Sequence, residues 1–195
     1  MLASGSPRRK ELLANLIHDF EVHVPNVEEG LLENETLIEA TQRLALKKAR
    51  ALRSQFPTSL LIAADTLVGF EDGDQLTVLG KPQTEGGARE MLLKLSGRSH
   101  FVVTGVAIVV GAEERVFAET TEVRFRKLSL EEIDRYVATR EPLDKAGAYG
   151  IQGRAAGFVE RMQGSLSNVV GLPLELLETE LEGLMLGQGH GFRQE

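Results

Sequence analysis

At 195 residues the chain suits one compact domain or two small lobes, and with 42% hydrophobic residues it can bury a sizeable core. Its net charge of −7, from 29 acidic against 22 basic residues, argues against a general nucleic-acid binder, and the absence of Trp argues against a stacking platform for single strands. Without cysteine it forms no disulfide or thiolate metal site, and with neither a basic-then-apolar leader nor an apolar run of membrane-spanning length it reads as a cytoplasmic protein with no membrane partner.

Residues 1–3 read as the end of a buried strand, short enough that the true start is expected upstream. The stretch Ser4-Gly5-Ser6-Pro7-Arg8-Arg9 then enters an amphipathic helix over 7–16, with Leu12, Leu13 and Leu16 on one face. Pro7 suits the first helical turn, where a missing N–H costs nothing. Residues 20–24 alternate as a strand, and 27–34 form an acidic loop containing Glu28 and Glu29. A long helix is predicted over 36–55, with Leu37, Thr41, Leu44, Lys48 and Leu52 at helical spacing. The apolar run 60–70 predicts a central buried strand, ending in the turn signal Glu71-Asp72-Gly73-Asp74, with 77–79 returning.

A helix follows over 84–95, opened by Thr84 as N-cap. Two long strands, 101–110 and 116–125, are joined by a Gly-Ala-Glu-Glu turn. Ser129-Leu130-Glu131-Glu132 makes a capping box before a helix to about Thr139. Residues 141–154 are polar and Gly-rich, 158–162 and 167–170 suggest strands, 173–185 a closing helix, and 187–195 a frayed tail. The mixture, with no internal repeat, gives an α/β or α+β class with a mixed sheet.

Several residues carry chemistry. The backbone N–H groups of Ser4 to Arg8 lack helical partners and point, with the positive end of the helix dipole, at whatever faces the loop. With the Ser4 and Ser6 hydroxyls and the Arg8-Arg9 pair, they suit a polyphosphate, since guanidinium groups fork onto phosphate oxygens. The alternative is an ordinary capped helix with a solvated Arg pair. Asp65 lies inside an apolar strand, so it is paired, metal-bound or protonated: either a buried structural carboxylate, or a metal ligand or general base at a cleft floor. Lys48 shares a helical stripe with Leu44 and Leu52, and therefore snorkels or meets an anion.

Gly80-Lys81-Pro82 aims Lys81 from a turn, although a surface lysine is the default there. Glu28 and Glu29 can reach a Mg²⁺, or are simply solvated. The histidines His18, His23, His100 and His190 have no ligand spacing. The 144–153 run can wrap a ligand, and Gln152 can donate to and accept from a base edge at once; otherwise it is a loop rich in turn residues. Neither a P-loop nor a properly placed Gly-x-Gly-x-x-Gly is present.

Together these residues resemble the Maf family of nucleoside triphosphate pyrophosphatases, which has an inosine-triphosphatase-like fold. The resemblance runs from Leu2 to about Leu181 on Ser-Gly-Ser-Pro-Arg-Arg with Glu11-Leu12-Leu13, Leu44-Ala45-x-x-Lys48-Ala49, Ala64-Asp65-Thr66, Gly80-Lys81-Pro82, Leu95-Ser96-Gly97 with His100, Thr104-Gly105-Val106, the Asp144 to Gly153 run, and Asn168 to Pro173. It implies an elongated mixed sheet flanked by helices, with two lobes and a central cleft, as a single catalytic domain over 1–186 with a tail over 187–195. It implies Mg²⁺- or Mn²⁺-dependent cleavage between the α- and β-phosphates of a nucleoside triphosphate.

The active-site positions it implies are Ser6, Arg8, Arg9, Glu29, Lys48, Asp65, Lys81 and Gln152, with Glu29 and Asp65 holding the metal. Arg8, Thr66 and Gln152 match the dTTP/UTP pyrophosphatase pattern, whereas the 7-methyl-GTP type usually places Trp, Gln and Glu there. A homodimer is the assembly expected from the family. The rival expectations are a pyrophosphatase for modified purine triphosphates and a non-catalytic nucleotide-binding regulator of cell division; the presence of both Asp65 and Glu29 favours catalysis.

Overall fold

The apolar run around residue 65 becomes the organising strand of one sheet in this computed structural model, which describes residues 1–72 and 75–188. The described strands are β1 (Leu2–Ala3), β2 (Leu61–Asp72), β3 (Gln75–Leu79), β4 (Ser99–Val110), β5 (Glu113–Phe125) and β6 (Val159–Gln163). The helices are α1 (Pro7–Ala14), α2 (Leu37–Arg53), α3 (Glu85–Leu95), α4 (Leu130–Val137), α5 (Leu166–Val170) and α6 (Leu174–Gln188). Short 3₁₀ turns at Glu141–Asp144, Ala146–Ala148 and Arg154–Phe158 fold the polar segment between α4 and β6. The sheet order is β1-β2-β4-β5-β6, antiparallel except for the parallel β1–β2 pair, with β3 also on β2.

One consequence of the register creates the cleft. β1 pairs with Ile62 and Ala63, and β3 pairs with Val68 to Asp72, on the edge of β2 away from β4. Among the described residues, no strand pairs with Ala64 to Leu67 on that edge. The sheet therefore forks at Asp65 and Thr66, with a lobe on each side of the gap.

Alternation along β2 then sends neighbouring side chains to opposite faces. Leu61 and Ala63 pack with Ala45, Ala49 and Leu52 of α2. Ile62 and Ala64 pack with Leu13 of α1 and with Leu177 and Leu184 of α6. Continuing the pattern, Asp65 faces α2 and Thr66 faces α1. Beyond the fork, Val68 and Phe70 join α3, α4 and β5 in a second core containing Leu92, Val123, Phe125 and Ile133.

Helix α2 starts at a complete Thr36–Glu39 capping box and buries one stripe, Lys48 included. It lies unusually close to the sheet because β4 carries Gly105 beneath it. A Cβ at that position would overlap the backbone of Thr41 and Gln42. Gly105 pairs with Asp65 across the β2–β4 ladder, so the close approach falls beside the cleft floor.

Several sequence expectations need correction. Residues 167–170 belong to α5, not to a strand. Ser165 caps that helix by accepting from the Asn168 N–H, and Gly171, with φ of 124°, ends it. Residues 20–24 form only a parallel bridge, Leu2 to Val22, because β1 is too short to pair further. Helix α1 stops at Ala14, two residues early. The β4–β5 turn is Gly111-Ala112, since Val110 pairs with Glu113. Helix α6 extends to Gln188, past the expected tail start at 187. The predicted turn at Gly73-Asp74 and the rest of the tail, 189–195, lie outside the described residues.

His100, which shows no ligand spacing, is fully buried on β4, with Nε2 2.8 Å from the Tyr149 hydroxyl and its ring edge-on to Phe125 and Tyr149. Burial pushes its pKa down to about 4. An unfolded chain returns the ring to an ordinary value of about 6.5. Between those values the unfolded state binds a proton that the folded state refuses, so stability falls as pH drops through the window, by up to roughly 3 kcal/mol. Urea midpoints at about pH 7.5 and about pH 4.5 should show a smaller acid loss in His100→Gln than in the parent. Equal losses would remove His100 from the acid sensitivity.

Candidate active site

The gap in β2 opens into a cleft of about 970 Å³ between the two lobes. All ten site residues singled out from the sequence, from Ser4 to Gln152, line it. One wall is the loop entering α1. Ser6 caps the helix by accepting from the Arg9 N–H at 3.4 Å, and Ser4 Oγ accepts from the Ser6 N–H at 3.2 Å.

The two adjacent arginines have different fates. Arg9 turns inward, where Nε donates to the Gly171 carbonyl (2.8 Å), Nη1 to Ser4 Oγ (3.3 Å) and Nη2 to Thr66 Oγ1 (2.9 Å). Thr66 meets Thr104 at 2.9 Å, and Thr104 donates to the Asn168 carbonyl at 3.0 Å. Burial draws the Arg9 guanidinium below its usual value, opposed by the charges of Asp65 and Glu29. Arg8 reaches across the cleft to Asp144 at 3.0 Å, joining the lobes with a partly exposed ion pair. Burial works to raise the Asp144 pKa, but hydrogen bonds from Lys145 and Arg8 hold it below the ordinary carboxylate value.

At the floor, Lys48 Nζ sits 2.5 Å from Asp65 Oδ1 and 2.8 Å from Glu29 Oε1. The Lys48 and Asp65 side chains are each 8% exposed, so this is a buried pair, while Glu29 is 52% exposed at its rim. Glu29 is partly desolvated, which works to raise its pKa. The hydrogen bond from Lys48 and the charges of Lys48, Lys81 and Arg9 outweigh this and hold it low. The acidic loop keeps its place because α2 grips it. Lys47 donates to the Glu28 carbonyl, and Arg43 pairs with Glu35 while reaching the Gly30 carbonyl. Of the two candidate acids, Glu29 turns to the cleft, whereas Glu28 contributes its backbone.

Lys81 and Gln152 line the opposite side. Both are exposed, and their side chains make no hydrogen bond among the described residues. Thr104, Asn168 and Gly171, which brace Arg9 and Thr66, have no chemical signal of their own in the sequence; they lie in the quoted family motifs without an assigned role. Glu141, Asp144 and Lys145 also reach the cleft, from the polar, Gly-rich stretch whose 144–153 run is expected either to wrap a ligand or to form a loop of turn residues.

The donor set fits a divalent cation that arrives with a phosphate. No group of three or more acidic or imidazole side chains suited to a metal exists among the described residues. Mg²⁺, however, usually takes one or two carboxylates plus substrate phosphates and waters, not a full protein cage. Asp65 and Glu29 supply two carboxylates at one point, and Asp65 Oδ2 has no hydrogen-bond partner among the described residues.

Fold and cleft together define an α/β protein with a two-lobed, cation-lined pocket floored by carboxylates. The chain belongs to the family described as Maf-like protein, whose model matches residues 1–184. Proteins named dTTP/UTP pyrophosphatase are similar to it. That of Symbiobacterium thermophilum is 52% identical over 89% of this chain and 88% of its own length. That of Geobacillus sp. is 47% identical over 94% and 97%, and that of Bacillus cytotoxicus 46% over 97% of each. Among solved structures, the Staphylococcus aureus Ham1 protein shares the fold, with a TM-score of 0.53 and 20% identity over 93% of this chain and 97% of its own. No described helix is long and apolar enough to cross a membrane.

Proposed function

We propose that this chain is a nucleoside triphosphate pyrophosphatase that converts dTTP and UTP to the monophosphate and pyrophosphate. The observation that carries the reading is the buried Lys48–Asp65 pair at the cleft floor, shared with Glu29 and facing the Ser4 to Arg9 loop. The names of relatives 46–52% identical support the substrate.

In this reading the triphosphate lies over the loop, with its charge met by Arg8, Arg9, Lys48 and Lys81. Binding draws Arg8 from Asp144 to the phosphates, an exchange of one carboxylate for a more highly charged anion. Asp65 takes a proton from the attacking water through Oδ2, the oxygen that Lys48 leaves free. The water oxygen bonds to the α-phosphorus in line, the bond from that phosphorus to the bridging oxygen breaks, and pyrophosphate leaves against the cations. Glu29 and Asp65 would hold Mg²⁺ or Mn²⁺, which supplies charge neutralisation on the phosphates and a more acidic water. Gln152 offers its NH₂ to O4 and its carbonyl to N3–H of uracil or thymine. Cytosine reverses both, so it is met only by an amide turned through 180°, and an amide held in one orientation leaves it unpaired. A cytoplasmic place in nucleotide metabolism, and removal of modified pyrimidine triphosphates from the pool, suit such an activity.

The test is a substrate panel with Mg²⁺, assayed for pyrophosphate. dTTP and UTP should exceed CTP by about 10-fold or more in kcat/KM. Orthophosphate as first product would contradict attack at the α-phosphorus, and preference for 7-methyl-GTP would reassign the pocket to purines.

A further inference from the structure

We infer that Glu141 is a positioning residue for base selection: its carboxylate clamps the backbone on both sides of Gln152 and so fixes where that amide meets the base. The inference rests on the base-reading role proposed for Gln152 and deepens it.

The segment carrying Gln152 has little structure of its own. A single turn bond, Gly153 N–H to the Gly150 carbonyl at 3.0 Å, closes it. Both carboxylate oxygens of Glu141 accept from the Arg154 N–H, at 3.2 and 3.3 Å. Oε1 also accepts from the Tyr136 hydroxyl at 3.1 Å, and that phenol oxygen accepts in turn from the Gly150 N–H at 3.1 Å. One carboxylate therefore ties down the amide two residues before Gln152, through the phenol, and the amide two residues after it, directly. Gln152 between them spends no side-chain hydrogen bond within the described residues and faces the cleft.

The seat is built for this contact. A Cβ at Gly153 would land on the Glu141 carboxylate, and one at Gly150 would come 3.3 Å from Oε1 and press on the Lys145 side chain. The glycines flanking Ile151 and Gln152 thus open the space that the carboxylate fills. Glu141 is itself held at both backbone ends. Its N–H donates to Thr139 Oγ1 at 3.2 Å, and its carbonyl accepts from Lys145 Nζ at 2.7 Å. Burial, with the neighbouring Glu141 charge, holds the Tyr136 phenol above its usual pKa, so it stays a donor to the carboxylate. With its oxygens taken by Tyr136 and Arg154, Glu141 acts through Gln152 and not on the base.

The experiment compares Glu141→Ala, Glu141→Gln, Gln152→Ala and the Glu141→Ala/Gln152→Ala double variant. It uses UTP, CTP and 2′-deoxyribose 5′-triphosphate, which has no base to read. Gln152→Ala should lower the UTP/CTP ratio of kcat/KM about 10-fold. Glu141→Ala should lower it by about 3-fold or more, mainly through KM, with turnover of the abasic substrate within about 2-fold of the parent. The double variant should fall no further than Gln152→Ala alone. Glu141→Gln keeps an acceptor for the Arg154 N–H and should recover most of the ratio.

A uniform loss on all three substrates would make Glu141 merely structural, and an additive double variant would make it an independent reader; either overturns the inference. If Glu141→Ala does not fold, Tyr136→Phe, which cuts the link to Gly150, is read in the same way. An unchanged ratio in Gln152→Ala overturns the base-reading role and this inference with it. A parent protein that releases no pyrophosphate from any nucleotide overturns the proposed activity itself.

Discussion

Asp65→Asn should lower pyrophosphate release by about 10²-fold or more, the usual scale for a lost general base, while the protein stays folded. The side chain stands in the gap of β2 where the sheet forks, with one oxygen on Lys48 and the other without a hydrogen-bond partner among the described residues. Asparagine keeps the shape and an acceptor for the ammonium, and Lys48 retains Glu29 at 2.8 Å, so packing survives. It cannot take a proton from water, and it offers a cation no charge. Rates of pyrophosphate release, measured beside a urea melt, decide the matter. A folded variant with near-parental turnover would make Asp65 a structural carboxylate only.

The second large effect is on stability. Lys48→Met keeps a long, flexible side chain on the buried stripe of α2 but removes the ammonium. Asp65 would then lose its hydrogen-bonded counter-charge and keep only the through-space charge of Arg9, and breaking a buried pair from one side costs about 3–5 kcal/mol. The exposed Glu29 contact adds little to that sum, since exposed pairs contribute about 0–1 kcal/mol. A double variant, Lys48→Met with Asp65→Asn, should regain much of the loss, because the uncompensated charge goes with the carboxylate. Urea midpoints of parent, singles and double test this. A single variant as stable as the parent would mean that the ammonium does not support the carboxylate.

These two residues are also where the sequence is most legible. Asp65 stands out as a charge inside an apolar run, and Lys48 as a charge on a buried helical stripe. Each raises a question about a missing partner, and in the fold each answers the other. The Arg pair is only half legible. Two identical side chains in succession say that cations face the loop, but a helix turns them about 100° apart, so one turns inward against Thr66 and the other spans the cleft.

The fork itself is not legible. It depends on β1 and β3 sharing one edge of β2, a fact of pairing that no local pattern carries. Helix α5 is misread as a strand because four residues ending in two valines carry too little periodicity, and its cap lies outside the run. Glu141 is missed because an acid beside Pro142 in a polar stretch reads as solvated, until the glycines at 150 and 153 fold over it.

The contact at Gly105 makes one side of this molecule mechanically stiff. Where α2 rests on β4 main chain against main chain, no side chain lies between them to rotate or compress, so the helix cannot rock toward a ligand without lifting off the sheet. The wall carrying Lys48 therefore behaves as an anvil. Any tightening around a bound nucleotide has to come from the far bank, residues 141–154, which is short 3₁₀ turns tied together by side chains. Hydrogen exchange should show the asymmetry: amides at 41–49 exchanging only with global opening, and those at 145–153 exchanging faster when the protein is alone and slowing when a non-hydrolysable UTP analogue is added. Protection gained equally on both banks would mean that the helix moves too.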